Sequence, residues 1–103
     1  MEKEYNGWTN YETWAVKLHW DNNEGDNKFF NTEARAFKNH NKSVGLFADW
    51  LKAQAEEIQE SVLNGTATEE AKMFIKDAGS LWRVNWIEIA EAYYADNEKT
   101  EDD

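Results

Sequence analysis

Residues 43–65 read SVGLFADWLKAQAEEIQESVLNG. Within them Val44, Phe47, Leu51, Ala55, Ile58 and Val62 recur at steps of three, four, four, three and four, the spacing that holds side chains on one face of an α-helix. Ser43 offers a hydroxyl to cap the start, and Asn64 with Gly65 ends the run because glycine there accepts a positive φ. This stretch decides the fold class. Proline is absent from the 103 residues and β-branched residues are thin, so the flanking segments also read by helical period rather than strand alternation.

Working outward, Thr9 with Glu12 fits a capping box that starts a first helix from about Asn10 to Asp21. Its expected inner stripe is Tyr11, Trp14, Ala15 and Leu18, which puts Val16 and Trp20 on the other side. The run Asn22, Asn23, Glu24, Gly25, Asp26 reads as a loop. A second helix then covers Asn27 to Lys38, with Phe29, Phe30, Ala34 and Phe37 on one side and Lys28, Arg35 and Lys38 opposite. Beyond the long helix, Thr66 or Thr68 caps a fourth through Ala71, Phe74, Ile75 and Ala78, closed by Gly79. Asn85 caps a fifth carrying Trp86, Ile89, Ala90 and Tyr93. The expectation is an all-α fold, a compact bundle of four to five helices in a single domain spanning 1–103, with an N-terminal arm at 1–8 and an acidic tail at 97–103 that fray.

Composition excludes more functions than it selects. The chain has no cysteine, hence no disulfide scaffold, thiolate metal site or cysteine nucleophile, and a cytoplasmic location is expected. No apolar run approaches the ~20 residues that span a bilayer, so no membrane association is expected. Twenty-one acids against eleven bases give a net charge of -10, which repels nucleic acid and attracts basic protein surfaces. The exception is residues 28–42, where four bases and one acid make a local +3. Lys28, Arg35 and Lys38 either contact phosphates or pair with acids of neighbouring helices; direct nucleic-acid binding is not the expectation, because the wider field opposes it.

The run at residues 7–14, GWTNYETW, together with Val84, Asn85, Trp86, Glu88, Ile89 and Ala90, resembles a family of small proteins from bacteriophages, plasmids and other mobile elements. That resemblance implies synthesis inside a bacterial or archaeal cell by an invading element, where small acidic proteins often inhibit host defences. Anti-CRISPR and antirestriction proteins are similar in size and charge. The motif also has a mechanical account, with Trp8 stapled onto the first turn of the helix that follows.

No catalytic constellation stands out. His19 and His40 lack metal-ligand spacing, and the five glycines are scattered rather than gathered into a phosphate cradle, so neither a cofactor nor a metal is expected. The more informative feature is acidic. Asp49, Glu56 and Glu60 project within about 40° of one another, roughly opposite the Leu51 and Ile58 stripe, and extend over about 16 Å. One DNA strand shows about five phosphates over that length, so mimicry of a nucleic-acid backbone needs a second row, such as Glu88, Glu91, Asp96 and Glu98, alongside.

The expected function is a non-enzymatic inhibitor that occupies a basic, nucleic-acid-handling surface of a host protein, a CRISPR effector or restriction enzyme. Its contact residues would be Asp49, Glu56, Glu60, Glu88, Glu91 and Asp96, with Trp8 and Trp20 as aromatic anchors. The alternative is a small structural or assembly protein of a mobile element that associates with itself or another protein through Trp8, Trp20 or Trp82.

Overall fold

Each helix begins on a side-chain oxygen that accepts a hydrogen bond from the amide three residues on. A computed structural model describes residues 7–97. In it Asn10 caps α1 (Tyr11–Asn22), Asn23 caps α2 (Glu24–Asn39), Ser43 caps α3 (Val44–Leu63), Thr68 caps α4 (Glu69–Ala78) and Asn85 caps α5 (Trp86–Asp96). Such a cap contributes about 1 kcal/mol by satisfying an amide that has no partner inside the helix. A 3-10 turn, Leu81–Arg83, joins α4 to α5. Among the described residues there is no strand, and the five helices share one core, which is the all-α bundle expected from the long amphipathic run.

Two starts differ from the sequence reading. Asn10, not Thr9, caps α1; its Oδ1 accepts from the Thr13 amide at 2.9 Å. Asn22 to Asp26 is no loop, because Asn23 alone ends α1 and caps α2, accepting from the Asp26 amide at 2.9 Å. Glu24 and Asp26 then occupy the first turn of α2, where their charge complements the helix dipole, and Gly25 is simply helical.

The core is assembled around an aromatic stack. Trp20 of α1 stacks on Phe30 of α2 at 4.1 Å between ring centroids and on Phe74 of α4 at 5.4 Å, and reaches Trp86 of α5 at 6.1 Å. One side chain thus joins four helices. The interior face of α1 is therefore Thr13, Val16, Lys17 and Trp20, with Ala15 also buried, whereas Tyr11 and Leu18 of the expected stripe are exposed. The helix is turned relative to its apolar count because the bundle buries two polar residues. Lys17 binds Asp21 at 2.8 Å and lies 4.5 Å from the centroid of the Tyr93 ring, a cation over an aromatic face. Burial, and next the carboxylates of Asp21, Asp26 and Asp96, push the Tyr93 phenol far above its usual range.

Helix α3 matches its reading closely, with Phe47, Ala48, Leu51 and Ala55 buried and Val44 and Ile58 packed at the core edge. It runs antiparallel to α5. At one end Phe47 stacks on Tyr94, whose hydroxyl donates to the Lys42 carbonyl at 3.0 Å; at the other, Glu56 and Gln59 lie beside Trp86. Asn97, where fraying was expected to begin, is buried: its side chain donates to the Tyr93 carbonyl and to Asn31 and accepts from Arg35. In the expected arm Trp8 packs against the core edge. The rest of the two segments, residues 1–6 and 98–103, lies outside the described residues.

Candidate protein-binding face

The two motifs, more than seventy positions apart, meet. The Thr9 amide donates to Glu88 Oε1 at 3.0 Å, the Asn85 side-chain amide donates to the Thr9 hydroxyl at 3.2 Å, and the Asn85 backbone amide donates to the Thr13 hydroxyl at 2.9 Å. Thr13 in turn donates to Asn10 Oδ1 at 2.7 Å, and Asn10 donates to the Arg83 carbonyl at 2.8 Å. Arg83 completes the set with an ion pair to Glu12 at 3.2 Å. All of these bonds join residues around the two helix starts, so this constellation is a clasp between the starts of α1 and α5. Glu88, half-buried, uses one carboxylate oxygen in this clasp.

The other acids divide into two sets. Asp49, Glu56 and Glu60 are exposed along the outer face of α3. None of them forms an ion pair; among the described residues those are Lys17 with Asp21, Glu69 with Lys72, and Glu12 with Arg83. On α5, Glu91 and Asp96 are exposed, but five residues place them about 140° apart around the helix, so they do not form a single row. Glu98 lies outside the described residues. Of the second acidic row expected beside α3, Glu88 accepts from the Thr9 amide, and Glu91 and Asp96 point in different directions around α5.

Trp20 is 1% exposed and cannot meet a partner; its assignment as a contact residue is overturned by its place at the centre of the stack. Trp82, by contrast, is 80% exposed. The 3-10 turn buries Leu81 on one side and Val84 just after, which throws the intervening indole outward. Gly79 sets up that turn at φ +74, a conformation that disfavours any residue with a Cβ. Between this turn and α3 lies a groove of about 570 Å³ lined by Lys52, Glu56, Gln59, Ser80, Trp82 and Trp86, among others. No periodicity announces it, since its walls come from two helices and a turn.

Two bases of the 28–42 stretch reach the end of α5. Arg35 donates to Asn97 Oδ1 at 3.0 Å, and Lys38 donates to the Tyr94 carbonyl at 2.7 Å while lying over the Tyr94 ring. Both place positive charge at the C-terminal end of α5, where the helix dipole is negative. Their partners are neutral acceptors rather than the acids expected from charge alone. Lys28 is exposed.

His19 packs edge-on against Phe74 at 5.1 Å, and His40 Nδ1 meets the Ala36 carbonyl at 2.9 Å as part of the α2 terminus. Asp26 sits near Glu70 and His19; burial first, then Glu70, raises its carboxyl pKa and His19 opposes the shift. Among the described residues no cluster of three or more His, Asp or Glu is arranged to hold a metal, and no helix is long and apolar enough to cross a membrane.

A model described as a family of unknown function (DUF7249) matches residues 1–101, and the chain belongs to that family. Comparison with curated proteins and with solved structures finds no match.

Proposed function

We propose that this member of the DUF7249 family is a non-enzymatic binding module that captures a basic protein surface with the outer face of α3. The observation that carries the reading is the row Asp49, Glu56, Glu60, exposed and without ion-pair partners, on a helix whose opposite face is locked into the core through Phe47, Leu51 and Ala55. A rigid carboxylate row in a chain of net charge -10 steers basic surfaces toward itself from a distance and loses that pull as salt is added.

Surfaces of that sign are used to hold nucleic acid, and the target class we assign is the nucleic-acid-handling surface of a host defence protein, a CRISPR effector or restriction enzyme. The mobile-element resemblance of the GWTNYETW run supports that setting, in the cytoplasm of the host cell. With α5 contributing no parallel row, α3 offers fewer charges than the about five phosphates of a DNA strand over the same length. The mode is thus capture of a basic patch rather than imitation of a duplex.

The test begins with host lysate passed over the immobilised protein at low salt, elution at high salt, and purification of what is released. The affinity of that purified protein is expected to fall at least about tenfold between 50 and 300 mM salt. It should fall by a similar factor in the Asp49→Lys, Glu60→Lys double variant. Indifference to both changes overturns the reading.

A second reading, assembly through aromatic contacts, draws on Trp82 and on a groove of about 450 Å³ between α1 and α4, lined by Tyr11, Trp14, Leu18 and Met73 among others. It requires a mass that rises with concentration and falls back on Trp82→Ala or Met73→Glu substitution; a concentration-independent monomer removes self-association.

A further inference from the structure

We infer that the groove between α3 and the 3-10 turn takes a single arginine side chain of the basic partner, with the guanidinium stacked on the Trp82 indole and its donors on Glu56 and Gln59. This rests on the protein-binding reading above and names the residue chemistry that the face selects.

Shape comes first. The Trp82 ring stands out from the surface between the buried Leu81 and Val84, with Arg83 5.6 Å from the ring centroid and tied to Glu12. An exposed indole offers a broad aromatic face on which a planar cation can stack. The neighbouring Arg83 also shows a guanidinium and this indole in favourable contact.

Chemistry then narrows the ligand. The Glu56 carboxylate and the Gln59 and Ser80 side chains line the groove and make no side-chain hydrogen bond or ion pair in the structure. A planar guanidinium carries five donors in a fork that fits a carboxylate while its face stacks on an aromatic ring; an ammonium pairs with a carboxylate or lies over a ring as a point charge, with neither the fork nor a plane to stack. Lys52 lines the same groove without pairing to Glu56. That gives a second ligand chemistry to exclude, a nucleotide with its base on Trp82 and its phosphate on Lys52, which the surrounding negative field disfavours.

The probe is N-acetyl-arginine methylamide, titrated into the whole labelled protein while the Trp82 indole and the α3 amides are followed by NMR. Saturable shifts are expected at Trp82, Glu56 and Gln59, with apparent affinity about two- to fivefold above that of the lysine analogue. The neutral citrulline analogue should leave them unmoved. Trp82→Ala should abolish the Gln59 shift while the remaining spectrum stays folded, and Glu56→Gln should weaken binding. Equal shifts with citrulline, no shift with arginine, or saturation by uridine monophosphate instead would overturn the assignment. The Asp49→Lys, Glu60→Lys variant alters charges outside the groove lining, so loss of partner capture there with the arginine shift retained separates failure of the row from failure of the pocket.

Discussion

The Thr13 hydroxyl accepts a hydrogen bond from the Asn85 backbone amide at 2.9 Å while donating to Asn10 at 2.7 Å, and Thr13 itself is wholly buried. One side chain thereby serves the caps of two helices whose starts are separated by most of the chain. Valine has the same shape but neither function. Thr13→Val is expected to destabilise the fold by about 1–3 kcal/mol, the cost of leaving a buried amide without a partner. Thr13→Ser keeps both bonds and should cost less. Urea midpoints of the two variants check the order; a Thr13→Val protein as stable as the parent would contradict the clasp.

Trp20 and Trp82 should behave as opposites. Trp20→Ala empties the site that joins α1, α2, α4 and α5 and is expected to cost about 3–5 kcal/mol, a large share of the stability of a domain this size. Trp82→Ala removes an exposed ring and should stay within about 0.5 kcal/mol of the parent. Thermal melts of both proteins decide this.

Asp26 gives the pH dependence a direction. Burial and Glu70 raise its carboxyl pKa above the usual 3.8, so the folded state holds the proton more tightly than the unfolded chain. Its contribution to stability is therefore fully present below 3.8 and is lost as pH rises through the raised value. Carboxyl NMR titration should place Asp26 above the ordinary range, lower in Glu70→Gln and higher in His19→Leu. An ordinary Asp26 midpoint in the parent protein would contradict this environment.

Lys38 closes the far end of α5. Lys38→Met preserves the stem but removes the donor to the Tyr94 carbonyl and the charge that complements the helix terminus. The expected loss is about 1–2 kcal/mol, with the first increase in hydrogen exchange in the last turn of α5. An unchanged exchange profile would contradict a role for Lys38 in holding this terminus.

Much of the fold was legible because α3 carries an unbroken apolar stripe and the caps Ser43, Thr68 and Asn85 stand where their residue types belong. Helix α1 was misread in rotation, since Thr13 and Lys17 are polar yet buried while Tyr11 and Leu18 are apolar yet exposed. An apolar count cannot find a face whose buried polar members are satisfied partly by neighbours, Asn10 and Asp21, and partly by Asn85 and Tyr93, which are remote in sequence. The same remoteness hid the clasp in which Glu88 accepts from Thr9. The acidic row of α3 needed only helical spacing to be read. The groove beside it depends on how a 3-10 turn after Gly79 aims Trp82, and no repeat in the sequence encodes that direction.

The most direct measurement is a hydrogen-exchange map of the protein free and saturated with the basic protein recovered by salt elution. Protection confined to the span Asp49 to Glu60 and to the turn bearing Trp82 is the predicted result. Protection at Tyr11, Leu18 and Met73, with α3 unchanged, would contradict capture by the acidic face and place the contact in the groove between α1 and α4.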